Sequence, residues 1–298
     1  RYAKDGDWTI TGLEREMIQN LADIYHAAGK KFVVVLNIGG VIETASWKHI
    51  PDAILLAWTP GQEGGYAVAD ILCGQTNPSG KLPMTFPVTY LDIPSSANFP
   101  YYYQNTQRGE WDFLWGGPQK KAKNVDETFY EEGIYVGYRY FQTAHVPVSY
   151  PFGYGKSYTT FEYSKPVIKA TAEGFTATIT VKNSGAVAGK EAVQLYVAAP
   201  AGGLEKPAFE LKGFAKTKEL APGETQNLTI NVDKYTLASF NEATSAWETA
   251  AGTYKVMFGA NAADIRGTGE YKLKKTECWK ANNVLAPAAP INELSLQK

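Results

Sequence analysis

Glu43 and Glu63 each follow a strand-like run. A carboxylate beyond the carboxyl end of such a strand is where open α/β sheets bind ligands, and two of them close together could divide acid and base roles. Glu63 lies in WTPGQEGG, whose glycines let a ligand approach the backbone. The competing and stronger reading is that Glu63 caps the helix beginning near Gly61, where a carboxylate meets free amides. Glu131 and Glu132 are sequence neighbours, so in an extended segment they point to opposite faces and form no pair. Serine nucleophile chemistry lacks its G-x-S-x-G elbow, and the three histidines, His26, His49 and His145, fall in a helix, a helix end and a loop. His26, near a helix C-terminus, suits the dipole there. The run NPSGKLPMTFP (77–87) has the look of a phosphate loop but not its spacing: five residues separate Gly74 from Gly80, and Leu82 follows Lys81. It reads instead as a turn leading from a helix into a strand at Leu82–Phe86.

The elements that must position these groups come in two styles. Over the first 90 residues helix and strand signals alternate, as in an open α/β sheet. Thr11 and Glu14 have the spacing of a capping box; Leu13, Met17, Leu21 and Ile24 then recur as a buried helical stripe, until Gly29 offers a C-terminal cap. Phe32–Leu36 and Ala53–Trp58 are apolar on both faces, as parallel strands covered by helices are. With the Leu82–Phe86 run these make only about three strands, an incomplete sheet whose other strands are expected upstream of Arg1.

Residues 91–150 form a long connection rich in aromatics, which either stack on sugar rings or, more often, glue a linker to its neighbours. From 151 to 280 the period becomes two, with six or seven short strands such as FTATITVKN and EAVQLYVAA separated by turns: a fibronectin type III-like β-sandwich without the Cys…Trp…Cys pattern. Residues 281–298 read as a tail.

A net charge of −1 and no dense basic stripe give no case for nucleic acid; Lys120, Lys121 and Lys123 sit in a Gly/Pro loop. No apolar run approaches the roughly 20 residues of a membrane helix. Cys73 and Cys278 lie in different parts of the chain, with neither spacing nor compartment arguing for a disulfide. No CxxC, HExxH or Cys/His cluster is present, so neither metal nor cofactor is expected. Asn227-Leu228-Thr229 is a glycosylation sequon in a strand-like setting. The chain opens on Arg1, without an initiator Met or a secretory signal, and is expected to be processed or cut from something longer.

Taken in order, KKFVVVLNIGGVIETASW, AWTPGQEGGYAVADILCGQTNPSGKLPMTFP, YEEGIYVGYRYF, YPFGYGKSYTTFEYS, VKNSGAVAGKEAVQLYV and LKGFAKTKELAPGE resemble the C-terminal half of family 3 glycoside hydrolases, the family of bacterial and fungal β-glucosidases. The resemblance runs from Arg1 to about residue 275 and departs at Lys156, where FGYGLSYT is usual. It implies a partial α/β sandwich followed by a fibronectin type III-like β-sandwich, and a part of a retaining, exo-acting β-glucosidase, bacterial and periplasmic or secreted. In that family a barrel supplies the Asp nucleophile. The acid/base Glu lies in a G-E-G-x-D-R run whose final Arg aligns with Arg1. Neither catalytic carboxylate is then expected in this chain; the acid/base falls just upstream of Arg1, the nucleophile in an N-terminal barrel-containing partner piece. Arg1 and Glu63 remain the candidates for substrate contact. Alternatives are a non-catalytic adhesion or carbohydrate-binding module, or β-xylosidase or N-acetylglucosaminidase activity within the same family.

Overall fold

The computed structural model describes residues 5–97 and 130–296, so Arg1, the aromatics of 101–129 and the three clustered lysines lie outside the described residues. Helix α1 (Gly12–Ala27) starts where the spacing places it: the Thr11 hydroxyl accepts from the Glu14 amide, and the Glu14 carboxylate accepts from the Thr11 amide at 2.7 Å. It stops where Gly29, at φ +67°, lets the Gly29 and Lys30 amides turn back to the His26 and Tyr25 carbonyls. Strands β1 (Val33–Leu36) and β2 (Ala53–Leu56) pair in parallel, in register from Val33–Ala53 to Leu36–Leu56. One face of this two-stranded sheet meets Ile18 of α1, with Ile42 and Trp47 at the centre of the cluster.

The expected buried stripe on α1 is overturned. Ile18 and Ala22 are the buried residues, whereas Leu13 and Ile24 are 80% and 64% exposed, and Met17 is also exposed. The helix is apolar around more than one face, and among the described residues only one of those faces has a partner. The same holds for β1, where Val35 is exposed, and for helix α2 (Gly64–Leu72), which buries only Gly64 and leaves Tyr66 and Leu72 in solvent. No described helix is long and apolar enough to cross a membrane.

The run 82–87 does not join the parallel sheet. Its strand β3 is only Phe86–Pro87, antiparallel to β4 (Val148–Tyr150), while Leu82 exchanges backbone bonds with Tyr154 and Gly153. Pro83 and Pro87 lack the amide that an inner sheet position needs, which confines the run to a short edge pairing. Between β3 and β4, helix α3 (Tyr138–Thr143) fixes the connection to the sandwich: Tyr138 stacks on Phe152 at 4.7 Å, and its hydroxyl accepts from the Leu211 amide. For these described aromatics the gluing role is the one observed.

The β-sandwich packs two four-stranded antiparallel sheets. One holds β5 (Phe161–Tyr163), β6 (Val167–Ala170), β7 (Gly174–Asn183) and β10 (Thr225–Asp233); the other runs β14-β13-β8-β9, comprising β8 (Ala192–Ala198), β9 (Glu210–Lys216), β13 (Gly252–Asn261) and β14 (Asp264–Leu273). Alternation puts Ile179, Val181, Leu228 and Ile230 of one sheet against Leu195, Val256 and Phe258 of the other. A smaller sheet of β11 (Ser239–Asn241), β12 (Ala246–Thr249) and β15 (Glu277–Lys280) had no clear signal in the sequence, its strands being three or four residues long. Asn227 stands exposed on β10, its side-chain oxygen accepting from Thr180 Oγ1 at 2.7 Å. Cys73 and Cys278 are both free and exposed.

Where His26 meets the sheet it does more than face a dipole. Asp52 accepts from Lys31 Nζ at 2.7 Å, from the Phe32 amide at 2.9 Å and from His26 Nε2 at 2.8 Å, and these donors, Lys31 foremost, hold its carboxyl well below the usual carboxylate range. A depressed folded-state pKa makes the ionised form a stabilising one. Its contribution is therefore present above the unfolded value of about 4 and is lost as the pH falls below it. Asp52→Asn is expected to flatten the loss of stability between about pH 4 and pH 2 relative to the unaltered chain, measured as urea midpoints at each pH.

Candidate functional site

At the N-terminal end of α1 a cavity of about 230 Å³ is lined by Asp5, Thr9, Ile10, Thr11, Gly12, Arg15, Glu43 and Ser46. The turn that precedes the helix shapes one wall, with Thr9 Oγ1 donating to Asp5 Oδ1 at 2.9 Å. The other wall is the single turn after β1. There the Glu43 amide donates to the Trp8 carbonyl, and the Trp47 indole donates back to the Glu43 carbonyl, both at 2.8 Å. Thr44 Oγ1 bonds Ser149 Oγ, and Lys48 Nζ donates to the Ser149 carbonyl, fastening this turn to β4.

Glu43 is 7% exposed and both its oxygens are engaged by one residue: Oε1 accepts from the Ser46 amide at 2.6 Å and Oε2 from Ser46 Oγ at 2.7 Å. Arg15 Nη2 in turn donates to Ser46 Oγ. A carboxylate so occupied closes a turn; it is poorly placed to move a proton to or from a substrate. Glu63, by contrast, does sit at the N-cap of α2 but makes no side-chain capping bond and is exposed, so the capping reading is corrected. Its position follows from PGQEGG. Gly61 takes φ +76°, and a Cβ on Gly64 would meet Pro60 Cγ at 2.4 Å, so the chain can enter the helix here only with glycine. Trp58, at the end of β2, is held at φ 54°, a backbone conformation rare for a bulky residue. Glu63 does not line the Glu43 cavity, so the structure does not bring the two carboxylates together.

Glu131 and Glu132 are not extended. They lie in a turn, and both line a second cavity, of about 330 Å³, with Pro94, Ser95 and residues Asn292–Ser295. Among the described residues no group of acidic, His or Cys side chains has the makings of a metal site. Sequence reasoning missed Asp5, Arg15 and Ser46. The one legible signal was the three-residue spacing from Glu43 to Ser46, the reach of a carboxylate closing a turn.

The comparisons agree with this layout. Residues 3–138 match the model described as the glycosyl hydrolase family 3 C-terminal domain, and residues 191–262 match a fibronectin type III-like domain. Among curated relatives, β-glucosidase A of Butyrivibrio fibrisolvens is 37% identical over 285 residues, covering 88% of this chain and 31% of its own length. A β-glucosidase of Ruminococcus albus is 36% identical over 299 residues, covering 98% and 29%. Among solved structures, β-glucosidase 3B from Thermotoga neapolitana in complex with glucose superposes with a TM-score of 0.83 at 40% identity, covering 94% of this chain and 36% of that one. The β-glucosidase of Kluyveromyces marxianus in complex with glucose gives 0.79 at 32%, covering 92% and 30%. The chain thus spans about a third of the length of the curated relatives it matches. It belongs to glycoside hydrolase family 3, as a counterpart of the C-terminal part of its members.

Proposed function

We propose that this chain is the C-terminal part of a retaining, exo-acting β-glucosidase and works against an N-terminal, barrel-bearing part that supplies the Asp nucleophile, with the acid/base Glu just ahead of Arg1. Retention needs two carboxyls about 5 Å apart, one attacking the anomeric carbon and the other protonating the leaving oxygen. The Glu43–Ser46–Arg15 turn and the capped start of α1 would give the segment leading to the acid/base a rigid footing. The observation that carries the reading is the uncovered apolar surface of α1, β1 and α2, where Leu13, Met17, Ile24, Val35 and Tyr66 stand in solvent. Single chains rarely leave so many large apolar side chains bare on neighbouring elements, and further polypeptide of the same family would cover them. The substrate is then a β-glucoside, with β-xylosides and N-acetylglucosaminides as the comparison substrates, and the place of action the periplasm or the cell exterior.

The test is complementation. The chain alone is expected to leave an aryl β-glucoside intact, and mixing it with the N-terminal two thirds of a family member is expected to produce turnover. A Leu13→Glu, Met17→Glu variant, which buries charge at the joint, is expected to weaken that rescue by roughly 100-fold or more. Turnover by the pure chain alone, or rescue unaffected by the two glutamates, overturns the proposal.

A further inference from the structure

The last described residues do not trail into solvent. Residues 282–290 are all exposed, with Leu285 at 91%, and then Ile291–Leu296 returns to the body of the protein. The Leu294 amide donates to the Glu131 carbonyl at 2.6 Å. Ser295 Oγ donates to Glu205 Oε2 at 2.8 Å, and the Leu296 amide donates to Glu205 Oε1 at 2.9 Å. That same Oε1 accepts from Tyr135 Oη at 2.6 Å; Tyr135 is fully buried, and burial, with Glu205 beside it, pushes its hydroxyl up to about 12. Segments far apart in sequence, the short 3-10 helix at Pro94–Ala97, the Glu131–Tyr135 turn and the loop carrying Glu205, thus converge on residues 291–296.

We propose that the segment 291–296 is a detachable arm, and that the cleft built from Glu131, Tyr135 and Glu205 is a peptide-binding site whose ligand is this chain's own arm. A carboxylate receiving two bonds from the arm and one from a buried tyrosine is a built anchor, and bonds to an ionised acceptor are the strong ones. The tether, with its exposed Ala-Pro-Ala-Ala-Pro, adds no packing that would hold the arm in place. Glu293 of the arm lines the same cavity as Glu131 and Glu132, so docking brings a third carboxylate into a cleft that already holds two. Gly133, at φ +53°, leaves room for the arm, since a Cβ there would come within 2.8 Å of Glu293 Oε2.

The chain truncated after Pro290 is expected to capture a labelled peptide of residues 291–298 with one-to-one stoichiometry by fluorescence anisotropy. Glu205→Ala in the truncated chain is expected to weaken capture at least about tenfold, and Glu293→Gln in the peptide to tighten it about twofold. In the intact chain, Glu205→Ala should raise hydrogen exchange at the Leu294 and Leu296 amides, a measurement that decides the matter even if the truncated chain fails to fold. A folded truncated chain that does not bind the peptide, or arm amides as protected in Glu205→Ala as before, overturns the proposal.

Discussion

Replacing Lys81 with alanine is expected to cost about 3–5 kcal/mol of stability, far more than an ordinary surface lysine, because the change leaves a buried carboxylate without its cation. Lys81 Nζ lies 3.2 Å from Glu191 Oε2, the two side chains being 15% and 6% exposed. Glu191 also accepts from Tyr163 Oη at 2.8 Å, and burial, followed by the neighbouring Glu191, drives the Tyr163 hydroxyl well above its usual range. A neutral phenol therefore cannot take the place of the lost ammonium charge. The pair is a joint between the two parts of the fold, since Lys81 belongs to the loop after α2 and Glu191 to the approach to β8. Asn77 reinforces it, donating to the Ala188 carbonyl and accepting from Ser157 and from the Tyr158 amide. Urea denaturation checks the expectation, and Lys81→Met with Glu191→Gln provides the contrast: with no charge left buried, most of the stability should return. A Lys81→Ala loss under about 1 kcal/mol would mean that water reaches the pair and screens it.

The same loop shows what the sequence made legible and what it hid. The spacing around Ser79-Gly80-Lys81 excluded a phosphate cradle, because that depends only on neighbouring residues, but the turn expected at Pro78 and Gly80 falls earlier, at Cys73-Gly74 directly after α2, with Gly74 at φ +74°. That Lys81 meets Glu191, more than a hundred positions away, depends on the tertiary arrangement, and no local signal carries it. The capping box at Thr11 and Glu14 and the main strands of the sandwich, β7 to β10 with β13 and β14, were legible for the same reason: caps and two-residue alternation are local. The apolar spacing of α1 was also read correctly as apolar, but Leu13, Met17 and Ile24 are bare here, since hydrophobic periodicity reports that a face wants covering and not which polypeptide covers it. Glu43 and Glu63 were visible as carboxylates after strands. What separates them, one held by Ser46 and the other open to solvent, is set by geometry at the level of single hydrogen bonds.

Gly155→Ala is the second change with a large expected effect, and it acts on the same joint from the opposite side. A Cβ at Gly155 would lie 2.2 Å from the Gly80 carbonyl oxygen and 3.1 Å from Lys81 Cδ. Gly155 is not among the residues with positive φ, so alanine suits its backbone and the penalty is steric. The obstructing atom is backbone, held by the flanking bonds from the Leu82 amide to the Tyr154 carbonyl and from the Gly153 amide to the Leu82 carbonyl, each 2.8 Å. Relief requires the 80–82 segment to move off the 153–155 segment, which breaks those bonds and draws Lys81 away from Glu191. The expected loss is about 3 kcal/mol, the upper end for overpacking, against about 1 kcal/mol for Gly202→Ala, where φ is +87° but nothing lies within 4 Å. Because both changes release one joint, they should not add: Lys81→Ala introduced into Gly155→Ala is expected to cost less than half of what it costs alone. Full additivity in that double-mutant cycle would show that the glycine contact and the ion pair stabilise the protein independently, and the view of a single latch between the α/β part and the sandwich would then have to be abandoned.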